Sequence, residues 1–428
     1  MKSRAPADVV VVGAGPAGLA AASAAAERGR RVLVIDQGLK PGGQIWRHQH
    51  EADLPRTAQR LMARARRAGV TIASEARLVD VASSNELIVD FRGRIDTQQT
   101  GALIIASGAR ERFIPFPGWT LPGVVGVGGL QALLKGGLSV AGARVVIAGT
   151  GPLLFPVAAA LARAGAQVLV VAEQASRAAL MAFGMSLVTS PDKMAQAMRY
   201  RGAFLATPFR TASWVVRAHG HERLAQVVLQ ERGRLRTLDC DWLATSAGLV
   251  PVTDVAELAG CALDAGAVRV DAQQATTVSG VWAAGECTGV KGDAAAMVEG
   301  EIAGRAAAGD ARGAADRTRA RERQRGLRFA ARIARTFAPR AELLQLADDA
   351  TVICRCEDVR RGAIDPAWTQ RQAKLWTRVG MGACQGAVCG PACAALFGWE
   401  GNTVRPPIGG PACGAWRDAL DRIAPPSS

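Results

Sequence analysis

Residues 8–36 open with an unbroken apolar run, Val9 to Val12, pass through GAGPAG, continue as an alanine-rich stretch to Arg28, and close on a second apolar run, Arg31 to Asp36. A short β-branched run bounded by glycine reads as a buried strand, and a longer alanine-rich run reads as a helix. The order therefore predicts a strand–turn–helix–strand unit. The same order returns at Arg144–Glu173 in ARVVIAGTGPLLFPVAAALARAGAQVLVVAE, an internal repeat of one supersecondary unit.

If the second unit interrupts the first, the chain must come back to the first sheet afterwards. WLATSAGLV at 242–250 echoes LIIASGARE at 103–111, and GVWAAGECTG at 280–289 reads as a strand running into a glycine-rich turn. Beyond Gly313 an arginine-rich helical pattern follows, then a segment set apart by its cysteines. These breaks predict a discontinuous first domain over 1–118 and 245–312 and a second nucleotide-binding domain over 119–244. A helical connector over 313–347 and a cysteine module over 348–428 would complete the chain.

Composition narrows the class. With 428 residues and 49% hydrophobic content, the chain can fill two or three globular cores, and its 48 glycines fit a protein rich in tight turns. The net charge of +15 comes mostly from arginines scattered along the chain, which argues against nucleic acid as a partner. Their densest stretch, Arg312 to Arg340, reads either as a solvated helix face or as a docking surface for an acidic partner. The apolar N-terminal run carries Gly13, Gly15, Pro16 and Gly18, so it is a turn-bearing unit and not a secretory signal. No 18-residue apolar run suggests a membrane span, and a cytoplasmic protein is expected.

The GAGPAG turn carries chemistry. Gly13 allows the sharp exit from the strand, and Gly15 lets backbone approach a pyrophosphate. Gly18 permits close helix–strand packing, and the helix start at Pro16 and Ala17 offers amides to phosphate oxygens. Asp36, followed by Gln37, ends the second strand at the position of an adenosine-ribose ligand. The turn Pro41–Arg47, with Gly43, Gln44 and Arg47, and the returning Gly285 and Glu286 would meet the rest of a flavin, as would Ser107 and Gly108. FAD is the expected cofactor.

The second unit keeps Gly149 and Gly151 but has Leu154 where the third glycine belongs. Glu173 could still hold a ribose, so NAD, ATP or no ligand at all remain open there. Cys354 and Cys356 form a CxC pair, and Cys384 and Cys389 a Cx4C pair. Four thiolates suit a [2Fe-2S] cluster or a structural zinc, and the CxC spacing, with Gly380, Gly382, Gly386 and Gly390 nearby, leans toward the cluster. Cys240, Cys261, Cys287, Cys393 and Cys413 have no such partner. No CxxC redox pair accompanies the flavin motifs. His48, His50, His219 and His221 stand beside no nucleophile, so no catalytic residue is singled out.

VVVVGAGPAGLAAA, GGQIWR, ERFIPFPGWTLPGV, AGTGPLL, CRCEDV and KLWTRVGMGACQGAVCGP together resemble the large FAD-containing subunits of opine oxidases, D-hydroxyproline dehydrogenase and bacterial hydrogen cyanide synthase. The resemblance implies an α/β fold class, with two nested Rossmann-like domains arranged as in flavoprotein disulfide reductases and a small C-terminal helical [2Fe-2S] domain ligated by Cys354, Cys356, Cys384 and Cys389. It implies an alpha, electron-relaying subunit of a hetero-oligomer that oxidises an amino or imino acid. Its partners would be a small-molecule amine, a catalytic flavoprotein beta subunit, and a small [2Fe-2S] gamma subunit. An FMN at a subunit interface is left open. The alternatives are a stand-alone NAD(P)H-dependent flavin/iron-sulfur reductase and a zinc-bearing scaffold with vestigial nucleotide folds.

Overall fold

The computed structural model describes residues 5–189, 191–314, 316–399 and 404–409, so the expectations for Cys413 and the rest of the C-terminal stretch lie outside the described residues. The chain forms two compact units. One comprises Met1–Arg110, Val250–Ala330 and Thr403–Ser428, the other Glu111–Leu249 and Ala331–Asn402.

The first unit is built on β1 (Ala7–Val12), α1 (Pro16–Ala26), β2 (Val32–Asp36), α2 (Arg56–Arg67), β3 (Thr71–Ser74), β4 (Ala76–Ser83), β5 (Glu86–Phe91) and β6 (Arg94–Ile105). Its sheet runs β3-β2-β1-β6, with the returning strand Val281–Ala283 added in parallel along Leu103–Ile105. The other half of β6 turns antiparallel to β5, which pairs with β4. Val9 and Val11 pack into one apolar layer and Val10 and Val12 into the opposite one. A strand covered on both faces has no solvent side, and for that reason β1 reads as a continuous valine run instead of an alternating pattern.

Helix α1 is buried almost all round, from Ala17 through Ala25, against the helix Asp293–Ala307. Small residues make that approach possible. A methyl group at Gly300 or Gly304 would run into the backbone carbonyl of Ala17 or Ala21.

The second unit holds a five-stranded parallel sheet in the order Phe209–Thr211, Gln167–Glu173, Arg144–Gly149, Trp242–Ser246, Val124–Gly126. A three-stranded antiparallel sheet, Ser213–Gly220, Leu224–Glu231 and Arg234–Asp239, accompanies it. The helix Leu154–Arg163 covers the parallel sheet. Leu154 is fully buried in the core with Val145, Ile147 and Val171.

The cysteine-bearing segment belongs to this second unit. It consists of a hairpin, Val352–Cys354 with Val359–Arg360, and two helices, Gln370–Thr377 and Cys389–Phe397. Thr369 and Gln372 close the start of the first helix as a capping box, and the left-handed Arg378 (φ 64°) ends it. Trp119 fastens the segment to the rest of the unit. Its Nε1–H donates to the Val352 carbonyl at 2.6 Å, and the Arg355 guanidinium lies 5.3 Å from its ring centroid.

Most of the arginine-rich stretch folds as one helix, Arg317–Thr336, whose charges divide by face. Arg319 pairs with Glu301 at 3.1 Å, and Arg323 approaches Glu299 at 3.8 Å. Arg317, Arg321, Arg325 and Arg328 point to solvent. Among the described residues no helix is long and apolar enough to cross a membrane.

Candidate functional site

In the first unit the phosphate turn forms between β1 and α1. Gly13 sits at φ 106°, a conformation that side chains rarely adopt, and the Ala106 carbonyl occupies the space its Cβ would need. Gly18 packs equally close, against the Gly13 carbonyl. Around Gly15 the nearest heavy atom to a notional Cβ is the Gly43 Cα at 4.0 Å, so the middle of the turn is open to a ligand. Gly15 extends into the first turn of α1, with Pro16 at the first helical position and Ala17 buried behind it.

Three other segments converge on this turn. Asp36, half-buried at the end of β2, accepts from the Ala14 N–H at 2.5 Å and the Gly38 N–H at 2.7 Å, while Gln37 is exposed. The Gly42 N–H donates to the Ala14 carbonyl at 2.8 Å, which lays the 41–47 turn beside the phosphate turn. Beyond it, Gln44 and Arg47 are exposed and joined to each other at 3.1 Å. From the returning strand, Gly285 (φ 85°) comes so near α1 that a Cβ there would stand 2.7 Å from the Ala17 Cβ.

Glu286 is half-buried and accepts from the Gly292 N–H at 3.2 Å, and burial pushes its carboxyl above the usual range. Ser107 is committed, its hydroxyl donating to the Val252 carbonyl at 2.7 Å, and Gly108 follows at φ 77°. Of the sequence candidates, Gly13 to Gly18, Asp36, Gly43 and Gly285 are thus brought together. His48 is bound locally to the Trp46 carbonyl at 2.8 Å.

Sequence reasoning missed a buried ion pair at this site. Lys291 and Glu299 are 4% and 1% exposed and lie 3.0 Å apart, with the lysine donating to the Thr288 carbonyl and hydroxyl at 2.8 Å. Glu299 also accepts from the Gly285 N–H at 3.1 Å and the Thr288 hydroxyl at 3.0 Å, which fixes the 285–292 turn. A buried pair of this kind holds only with hydrogen bonds around it. Lys291 makes two and Glu299 Oε2 accepts two, while Glu299 Oε1 faces the lysine and makes no further hydrogen bond. A lone lysine in a glycine-rich turn gives no sequence signal. Glu299, however, falls on the stripe of Ala295, Ala296 and Ala303, and that helical phase marks it as buried.

The cysteines form a second site. The Cys356 and Cys384 thiols are in hydrogen-bonding contact, and so are those of Cys354 and Cys389. Cys354 and Cys389 are buried, Cys384 is partly so, and Cys356 is exposed. Burial works against ionisation of Cys384, but the Val388 N–H, the Cys356 thiol and the N–H groups of Gly386 and Ala387 outweigh it and hold this thiol below the usual range. Burial pushes Cys389 up, helped by Cys354 and Cys393.

Among the described residues no three His, Cys, Asp or Glu side chains converge on one ion position. Cys354 and Cys384 each act electrostatically on both Cys356 and Cys389, so the four thiols are neighbours. Gly382 lies so close to Cys356 that a Cβ would collide with that of the cysteine. Cys240, Cys261 and Cys287 are buried elsewhere, and Cys393 is pushed up to about 12, chiefly by burial.

Residues 7–309 match the pyridine nucleotide-disulphide oxidoreductase family, which implies bound FAD. The A subunit of opine oxidase from Rhizobium meliloti (strain 1021) is 31% identical over 94% of this chain and 96% of its own length. The HcnB subunit of hydrogen cyanide synthase from Pseudomonas aeruginosa is 32% identical over 89% of this chain and 90% of its own. In fold, the crystal structure of L-proline dehydrogenase from P. horikoshii superposes with a TM-score of 0.70 at 17% identity, covering 97% of this chain and 80% of that one.

Proposed function

The chain belongs to the pyridine nucleotide-disulphide oxidoreductase family, alongside the A subunits of opine oxidases and the HcnB subunits of hydrogen cyanide synthases, and from that premise we propose a specific role. It is the FAD-bearing, electron-relaying alpha subunit of a hetero-oligomeric dehydrogenase acting on the CH–NH bond of an amino or imino acid of D-hydroxyproline or opine type. One observation carries this reading. A flavin cradle and a four-thiol belt occur in one chain, the donor sets of a two-electron and a one-electron carrier.

For the flavin, the open backbone at Gly15, the N–H groups at the start of α1 and the carboxylate of Asp36 supply a phosphate and ribose cradle. Gly285, its N–H held by Glu299, would close the same site from the returning strand, with Glu286 following it. Cys354, Cys356, Cys384 and Cys389 would hold a [2Fe-2S] cluster, which takes four thiolates, two for each iron. The N–H groups gathered at Cys384 favour its thiolate, the form a cluster needs. Bound, FAD supplies hydride acceptance and a [2Fe-2S] cluster supplies single-electron transfer.

The amine itself would be oxidised on a partner flavoprotein subunit, with a small [2Fe-2S] protein as a further component. The names of the relatives support this division, since each is one subunit of a larger enzyme. An anaerobic absorbance spectrum with iron, sulfide and zinc assays on the same sample tests the reading. Flavin bands with a broad visible shoulder and about two irons per chain are expected. Flavin with zinc and no iron would end the relay reading, and amine dehydrogenase activity from this chain alone would end the division of labour.

A further inference from the structure

The second strand–helix–strand unit poses a separate question, whether a nucleotide can enter it. We propose that the segment Phe337–Arg340 is a strap that fills the ribose end of this second dinucleotide fold. A nucleotide gains access there only by displacing it.

In dinucleotide folds the ligand lies outside the carboxyl ends of the strands, and the acid ending the second strand meets the ribose. Here that acid is Glu173, only 1% exposed. It accepts from the Thr150 hydroxyl at 2.9 Å and the N–H groups of Ala175 and Gly151 at 2.8 Å each. Asp36, its counterpart in the first unit, accepts two backbone bonds and stays half-buried.

The residues beside Glu173 hold another part of the chain, and the Thr150 hydroxyl bonded to it lies 3.4 Å from the Phe337 carbonyl. Gln174, also 1% exposed, donates through Nε2 to the Ala338 carbonyl at 2.9 Å and to Thr150 at 3.0 Å. Its Oε1 accepts from the Arg340 N–H at 3.1 Å. The Phe337 ring meets Phe183 edge-on at 5.2 Å, and the Arg340 guanidinium lies 4.8 Å from the Trp214 ring centroid. The strap is thus bonded at its middle and pinned at both ends.

The phosphate end looks different. A Cβ at Gly151 would meet nothing within 4 Å, and Leu154, the residue replacing the third glycine, is turned into the core beneath the sheet. The fold keeps an open phosphate turn and loses its ribose acid to its own chain. A closed strap lowers apparent affinity by the fraction of molecules in which it is open. In the resting chain, nicotinamide is therefore no source of electrons at this fold. This inference does not depend on the cluster or on the amine, whose tests read metal, flavin and turnover.

Calorimetric titration of the full flavin-loaded chain with NADH, and separately with ATP, tests it. The wild type is expected to bind neither with a Kd below about 1 mM. Gln174→Ala, which removes both bonds to the strap, and Phe337→Ala are expected to bind at least one of them about 10- to 100-fold more tightly. Wild-type binding as tight as that of the variants would overturn the proposal. So would variants that melt like the wild type and still bind neither, since the fold would then be closed for another reason. If the variants do not fold, hydrogen exchange on the wild type decides. The Arg340 amide should exchange at least about 100-fold more slowly than an open amide, and fast exchange would rule the strap out.

Discussion

Cys287 shows how burial, aided by the nearby Glu299, sets the behaviour of a residue that carries no motif. Its thiol, fully buried, donates weakly to the Ile105 carbonyl at 3.4 Å and the Ala284 carbonyl at 3.3 Å, and burial pushes it from 9.0 up to about 11. In the unfolded chain this thiol ionises near 9.0, while in the folded chain it still holds its proton. The stabilisation is therefore complete below pH 9 and is lost as pH rises toward 11. The slope reaches about 1.4 kcal/mol per pH unit for one proton. Cys287→Ala should flatten the fall in melting temperature between pH 9 and 11, measured by scanning calorimetry. Parallel curves for wild type and variant would mean that the thiol ionises within the fold. Little of this was legible in the sequence, where Cys287 has no partner at a useful spacing. Gly13 and Gly18 were legible because each answers a fixed backbone demand, whereas Lys291 and Glu299 find each other across a turn and a helix.

At the scale of elements, the close contact between α1 and the helix Asp293–Ala307 rests on glycines placed under backbone carbonyls. Gly304→Val would drive its side chain into the Ala21 carbonyl, and backbone yields less easily than a side chain. Overpacking costs about 1–3 kcal/mol in ordinary cores, and the upper end is expected here. Thermal melting should show it, together with faster loss of FAD, since α1 begins at the phosphate turn. Arg321→Ala on the exposed face of the arginine helix should stay within about 0.5 kcal/mol and serves as the control. A Gly304→Val protein as stable as that control would mean that the two helices separate freely. Repeated strand–helix–strand order was readable because parallel strands and alanine helices leave strong periodicities. The division of the arginines between faces was not, because what sets Arg319 apart from Arg321 includes Glu301 on the preceding helix as well as the nearby Asp316.

For the whole molecule, the chain places its two candidate cofactor sites in different compact units. Gly13, Asp36 and Gly285 belong to the first, and Cys354, Cys356, Cys384 and Cys389 to the second. Units with separate cores can lose one site without losing the other. Cys384 gathers most of the N–H groups aimed at a sulfur, so Cys384→Ser removes the best-stabilised thiolate while its backbone can keep the same turn. The variant should lose its iron and retain about one FAD per chain, read by iron assay and by flavin released on heating. Cys393→Ser is the matching control. That thiol is buried and pushed up to about 12, outside both thiol pairs, and its loss should leave iron unchanged. Iron retained in the Cys384 variant would remove this cysteine from the ligand set. Iron and flavin lost together would mean that the flavin fold depends on the cysteine segment, and the two sites could then no longer be treated as separately built.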